Sequence, residues 1–272
     1  MLESAEIERI SDELMDLRRS GRQIAPLSSR YAGFTLNDAY QVVARIRDLR
    51  IELGENPVGR KIGFTNRSIW QTQGIEAPIW NYVYDRTVAD IEQSGASFVL
   101  RGNPEPRIEP EVVLHLCAAP QQGISIWDLV ECIDWVAPGF EVVNSVFPGW
   151  HFAAADAAAA FGVHNALFIG RHLSVTRDKS QLVDRLSSFE VSLESSNNHR
   201  REGSGSNVLG GPIEALKFLV AELSRFPMCE PLQAGEVVTT GTLTEAMPLS
   251  AGQTWDATFR GIDFQPIRLV AI

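Results

Sequence analysis

Apolar residues recur along this chain at two different periods, and the change from one to the other falls near Pro57. Before it, Ile7, Ile10, Leu14 and Leu17 stand three or four apart, the spacing of one helix face, and Gly21 follows as a stop. A second helix is predicted from Thr35, whose hydroxyl can cap free amides while Asp38 sits near the positive end of the dipole. Its buried stripe reads Ala39, Val42, Val43, Ile46, Leu49 and Leu53, and it ends at Gly54. After Pro57 the texture becomes short apolar runs separated by Gly, Pro and Asn. Strands are predicted over 58–64, 79–84, 97–100, 107–118, 139–147, 166–169, 173–176, 189–195, 236–240, 254–259 and 265–272. Helices intervene over 126–136, with Ser125 and Asp128 as a capping pair, over 153–161, and over 212–226 behind Pro212. The polar run 195–206 reads as a loop or a hairpin tip.

Strands and helices alternate without a regular βαβ repeat, so the order favours an α+β fold over a doubly wound sheet. We divide the chain into a helical segment, 1–56, packed on a main domain, 57–272. A length of 272 residues supports a core without disulfides. Its three cysteines, Cys117, Cys132 and Cys229, form no CxxC pair and do not suggest a disulfide framework. The 34 acidic against 24 basic residues give a net charge of −10, which argues against nucleic acid or an anionic membrane as partner. The stretch from Val142 to Gly170 carries one formal charge, Asp156, yet His151, Gly162, His164 and Asn165 interrupt it, so it reads as buried and soluble. The N-terminus has no apolar signal core, and the expected location is the cytoplasm.

Dinucleotide-binding, phosphate-loop, zinc-protease and serine-hydrolase motifs are absent, and the five histidines show no ligand-like spacing. What stands out is the run from Arg107 to Leu116. On a strand, Glu109, Glu111, Val113 and His115 share one face, and Pro110, Val112, Leu114 and Leu116 the other. Two carboxylates on one face repel each other unless a cation joins them, and Mg²⁺ or Mn²⁺ prefers such oxygen donors. The competing reading is a solvated edge marked by Pro110. Glu141 is the one charge in an apolar run, and reads either as a hydrogen-bonded structural acid or as a third ligand. Lys61, among small and apolar neighbours, is either a charge for a substrate carboxylate and a proton donor, or a packed stem with its head in water. Asp85 is an acid/base candidate or a turn aspartate. The run Thr239-Thr240-Gly241-Thr242-Leu243-Thr244 is an anion-contacting loop or a plain turn.

Taken in order, Gly59-Arg60-Lys61-Ile62-Gly63, Tyr84-Asp85, Pro106-Arg107-Ile108-Glu109-Pro110-Glu111 and Glu141-Val142-Val143-Asn144-Ser145 are recognisable. They are followed by Val208-Leu209-Gly210-Gly211-Pro212, the run from Ala234 to Thr244, and Ser250-Ala251-Gly252-Gln253. Over nearly its whole length the chain resembles the fumarylacetoacetate hydrolase superfamily, in its 2-oxopent-4-enoate hydratase and 4-oxalocrotonate decarboxylase branch. The resemblance implies strongly curved, layered β-sheets, one divalent metal (Mg²⁺ or Mn²⁺) per subunit and a homo-oligomer. It makes Glu109, Glu111 and Glu141 the metal ligands, Lys61 and Asp85 the catalytic pair, and Arg107, Gly241 and Thr242 substrate contacts. The chain departs from the branch pattern at Asn144, where an aspartate is usual, and at Ala157, where an asparagine usually follows the aspartate.

Such a site suits a 2-oxo acid, because a cation that chelates its head stabilises the enolate that forms. The expected activity is hydration of a 2-hydroxy-2,4-dienoate to a 4-hydroxy-2-oxo acid, in aromatic or steroid meta-cleavage catabolism. The alternatives are a 4-oxalocrotonate-type decarboxylase or a C–C bond hydrolase and, from another class, a non-catalytic oxo-acid-binding partner subunit.

Overall fold

The computed structural model describes residues 2–91, 95–175 and 179–272. The two predicted helical patterns form α1 (Ser4–Ser20) and α3 (Leu36–Glu52), with a single turn, α2 (Leu27–Arg30), between them. Ile7, Ile10, Leu14 and Leu17 are buried, and Gly21 closes α1 in the left-handed region with its N–H on Leu17 O. Thr35 Oγ1 accepts the Asp38 N–H as the cap of α3. The buried face of α3 adds Tyr40 and Arg50 to the predicted stripe, whereas Leu53 is 57% exposed. Tyr40 stacks on Trp80 at 4.7 Å and its hydroxyl accepts the Trp80 N–H. Arg50 lies 3.5 Å over the ring of Tyr84. Two aromatic contacts thus fix the helical segment to the sheet.

The strands and remaining helices follow in order: β1 (Pro57–Gly63), α4 (Trp70–Gln73), β2 (Ile79–Tyr84), β3 (Val88–Asp90), β4 (Ala96–Phe98) and β5 (Arg107–Leu116). Next come α5 (Ile126–Glu131), β6 (Ile133–Val143), α6 (Ala154–Ala159), β7 (His164–Ile169), β8 (Leu173–Ser174), α7 (Leu182–Ser188), β9 (Glu190–Ser195) and β10 (Arg200–Ser204). The chain ends with α8 (Pro212–Leu223), β11 (Val237–Thr239), β12 (Met247–Pro248), β13 (Thr254–Arg260) and β14 (Ile267–Ala271). Among the described residues these build a mixed nine-stranded sheet in the order β2-β1-β11-β5-β6-β7-β3, with β12 on β5 and β8 on β6. A second sheet runs β10-β9-β13-β14-β4. The fold is α+β, and among the described residues no helix is long and apolar enough to cross a membrane.

The structure corrects several boundaries. The helix predicted over 126–136 stops at Glu131, because Ile133 to Val136 enter the ladder with β5, Leu114 opposite Val136 and Leu116 opposite Ile133. The following strand therefore begins at Ile133 rather than 139. It ends at Val143 rather than 147, where Ser145 Oγ accepts the Phe147 N–H and donates to Phe147 O in a tight turn. The run 195–206 is a hairpin, with Arg200 opposite Glu194 and Asn198 at φ 63° in its tip. Of the strand predicted over 173–176, Leu173–Ser174 is observed, and Thr176 lies outside the described residues.

The large sheet has two different faces. Ile62, Tyr82, Ile108, Val112, Leu114, Phe140 and Val142 join the helices in the main core. Val83, Val113, Ala137, Leu167, Ile169 and Val237 form a smaller apolar group on the opposite face. That second face also carries the charged residues considered next.

Candidate active site

Alternation along β5 sends Glu109 and Glu111 to the same face as Val113 and away from Ile108 and Val112. On the neighbouring strand, Glu141 is the register partner of Glu109, and Gly139 the partner of Glu111. Each of the three acids offers an oxygen within 4.8 Å of the others. Glycine opposite Glu111 matters, since a Cβ at Gly139 would stand 2.9 Å from Val113 Cγ2. Both Glu111 and Glu141 are fully buried, which removes the solvated-edge reading of this strand.

Lys61 comes from β1, with Asn81 on one flank and Thr239 on the other as register partners. Its ammonium is buried, not in water, and lies 3.2 Å from Glu141 Oε2. The lysine stem rests against Gly162, where a Cβ would come within 2.9 Å of both Lys61 Cδ and Asn81 Cβ. Asn81 is fixed in turn by donating to Ala158 O at 2.8 Å. Burial disfavours the lysine's charge, but Glu141, Glu109 and Glu111 outweigh it and hold its pKa above the ordinary value. The acids respond unequally. Burial and the Glu141 charge push Glu109 up to about 7. Burial and the charges of both neighbouring acids push Glu111 well above its ordinary value. Glu141 resists its own burial because Lys61 and His164 hold it down to about 2.

His164 is the residue that sequence reasoning missed. Its Nδ1 lies 2.7 Å from Glu141 Oε1 and its Nε2 3.0 Å from Thr87 Oγ1, so both ring nitrogens are engaged. Nothing in the 23-residue separation from Glu141 signalled this, because the contact depends on β7 pairing with β6 across a bulge near Val143. The last residue of the predicted strand face, His115, sits at the far end. It stacks on Trp135 at 4.7 Å, with His172 on the other side of the indole at 3.6 Å.

Other expectations are redirected. Asp85 lies outside the site: it is exposed at the end of β2, four residues past Asn81 and so about 13 Å along the strand. Its carboxylate accepts from the side chain and backbone of Asn56 and from Arg86 N, which lowers its pKa and makes it the turn aspartate. The Gly241 N–H donates to Glu111 Oε2 at 2.8 Å, and Thr242 Oγ1 donates to Thr244 O, so both groups already serve the protein itself. Gly241 is at φ 103°, and a Cβ there would strike Thr65 Oγ1 at 2.3 Å. Arg107 closes the end of β5 with its guanidinium 4.3 Å over the ring of Trp150. Its charge reaches Glu109.

No family model matches the chain. A 2-hydroxyhexa-2,4-dienoate hydratase of Comamonas testosteroni is 28% identical over 257 residues, 94% of each chain. A 2-keto-4-pentenoate hydratase of Paraburkholderia xenovorans is 26% identical over 258 residues, 94% of this chain and 91% of that protein. Among solved structures, 4-oxalocrotonate decarboxylase from Pseudomonas putida G7, complexed with magnesium and adipate, superposes with a TM-score of 0.91 at 23% identity. That match covers 100% of this chain and 99% of the decarboxylase. The chain is thus similar over nearly its whole length to dienoate and pentenoate hydratases, and it shares the fold of the decarboxylase, which matches the branch expected from its motifs.

Within this fold, the acid cluster passes a direct test for a cation. Glu111 Oε1 is buried and accepts no hydrogen bond from the protein, and Glu141 Oε2 faces only the Lys61 ammonium, at 3.2 Å. An orphaned carboxylate oxygen within a cluster of three acids fits a hard divalent ion. Where the chain departs from the branch pattern, the changes leave the cluster intact. Asn144 donates its N–H to Val163 O. Asp156, next to Ala157, is structural: it accepts from Ser28 N, Ser28 Oγ and Ala153 N and ties α2 to α6.

Proposed function

We propose that this protein is a divalent-metal-dependent hydratase that adds water to a 2-hydroxy-2,4-dienoate to give a 4-hydroxy-2-oxo acid. The observation that carries the reading is the convergence of Glu109, Glu111, Glu141 and Lys61 on one buried patch of sheet. Relatives named as dienoate and pentenoate hydratases support the substrate class. In our reading Glu109, Glu111 and Glu141 hold a divalent cation, Mg²⁺ or Mn²⁺; the similar decarboxylase is complexed with magnesium, and a fumarylpyruvate hydrolase from Pseudomonas aeruginosa of the same fold with Mn²⁺ and pyruvate.

When bound, the cation supplies Lewis acidity at the 2-oxo acid head. Lys61, desolvated and charged, attracts the substrate's anionic head despite the net charge of −10. The same ammonium is the proton-bearing group set against the acid cluster, and Glu141 keeps it oriented. His164 and Thr87 hold Glu141 from behind, so the pair cannot swing away when substrate arrives. Arg107, braced on Trp150, is the cation best placed at the outer end of the acid row to meet a substrate carboxylate. Burial of the cluster keeps bulk water from quenching the enol.

Purified protein should consume 2-hydroxypenta-2,4-dienoate, read as loss of dienol absorbance, with Mg²⁺ or Mn²⁺ and not after chelation. Formation of the hydroxy-oxo acid without CO₂ supports the hydratase, and CO₂ release from 4-oxalocrotonate would replace it by the decarboxylase. Calorimetry showing unchanged Mn²⁺ affinity in Glu111→Ala would remove the ligand assignment.

A further inference from the structure

Among the described residues, three buried side-chain oxygens on the site face of the large sheet make no hydrogen bond: Glu111 Oε1, Glu141 Oε2 and Thr239 Oγ1. Glu141 Oε2 faces the Lys61 ammonium, and in the reading above Glu111 Oε1 meets the cation. Thr239 Oγ1 has neither. Thr239 is fully buried on β11, with Lys61 beside it on β1 and Val113 beside it on β5. Its side chain therefore shares the face of both, where the charged cluster gives way to Val113 and Val237. The adjacent Thr240 shows what a purely structural threonine does here: its Oγ1 donates to Val112 O at 3.1 Å. Thr239 has no such outlet.

An orphaned buried hydroxyl is unfavourable, because it gives up its hydrogen bonds to water for none in the protein. A valine of the same shape would avoid that cost, so the hydroxyl calls for a ligand. The ligand must offer a small polar atom beside the ammonium. The head oxygens of a 2-oxo acid already have Lys61 and the cation. A hydroxyl both donates and accepts, which suits a water that must be held while it gives up a proton. We propose that Thr239 binds and orients the water that adds to the substrate alkene, an inference that rests on the hydratase reading above. The water oxygen forms the new C–O bond, and the alkene π pair forms the new C–H bond on the neighbouring carbon. The proton released by the water balances the proton taken up there, so nothing is oxidised or reduced.

The test compares Thr239→Val and Thr239→Ser with wild type, all loaded with Mn²⁺, using 2-hydroxypenta-2,4-dienoate. Thr239→Val should melt at the same temperature or higher, lose about tenfold or more in kcat, and keep KM within about twofold. Thr239→Ser should retain kcat within about threefold, because the hydroxyl remains. Deuterium exchange into substrate, which needs no water addition, should persist in Thr239→Val. Wild-type kcat in Thr239→Val overturns the proposal. So does a raised KM with unchanged kcat, which moves the hydroxyl to substrate binding, and so does a lower melting temperature with activity lost in both variants. No turnover by wild type removes the hydratase reading and the bound water with it, whereas equal turnover by wild type and Thr239→Val removes the bound water alone.

Discussion

Removing the divalent cation should expose the proton balance of the acid cluster. Without it, Glu141 is ionised against Lys61 and His164, Glu111 holds a proton well above the usual carboxylate range, and Glu109 titrates near 7. A cation held by all three needs them ionised, so binding at pH 7 should release about one to two protons. The apparent affinity should then rise about tenfold or more per pH unit between 5.5 and 7 and rise less steeply once Glu109 has ionised. The sign for stability is fixed by the same shifts. Both raised acids have folded pKa values above their unfolded ones, so stability present at low pH is lost as pH climbs through about 7. Glu141, depressed to about 2, contributes the opposite trend only below pH 4.5, outside this window. Chelated protein should therefore melt at progressively lower temperature from pH 5.5 to 8, and Mn²⁺ should restore more at the alkaline end. Calorimetry of Mn²⁺ binding in two buffers of different ionisation enthalpy counts the protons. Heats independent of buffer, with an affinity flat across this range, would refute the cluster as described.

Three further outcomes follow from single contacts. Gly162→Ala places a Cβ at φ 60° against Lys61 and Asn81, and should cost about 1–2 kcal/mol of thermal stability and reduce kcat more than it raises KM. His164→Leu removes the support of Glu141 Oε1 and should weaken Mn²⁺ binding by about 10–100-fold, whereas His164→Asn, which keeps a donor at that position, should recover part of it in the same titration. Asp85→Asn should leave kcat/KM within about twofold of wild type, since its partners are Asn56 and Arg86 and not the acid cluster; a loss beyond tenfold would return Asp85 to the mechanism.

Local rules made much of this molecule legible. The spacing of Ile7 to Leu17 and the Thr35–Asp38 cap specify α1 and α3 because both act within one or two turns. The period of two along 107–116 placed Glu109 and Glu111 together on one face, as observed. Legibility ended where partners are distant. Ile133 to Val136 have an acceptable helical pattern, and only the β5 ladder turns them into strand. Asp85 stayed open between an acid/base and a turn aspartate because the sequence does not show that Asn56 occupies both its oxygens. His164 was silent because its contact is with a neighbour 23 positions away, and although the Thr239–Thr244 run stood out, only the fold shows that the Thr239 hydroxyl has no hydrogen-bond partner.

The pairing of Glu109 with Glu141 and of Glu111 with Gly139 makes the site a reading frame in space. Inserting or deleting one residue within Arg107–Leu116 would exchange the two faces of β5 beyond that point. Glu109 and Glu111 would turn into the packed side that holds Phe140 and Val142, while Ile108 and Val112 would replace them beside Lys61. Loops can lengthen in this fold with modest effect. The central hairpin cannot, and length variation among natural relatives should stop at its borders.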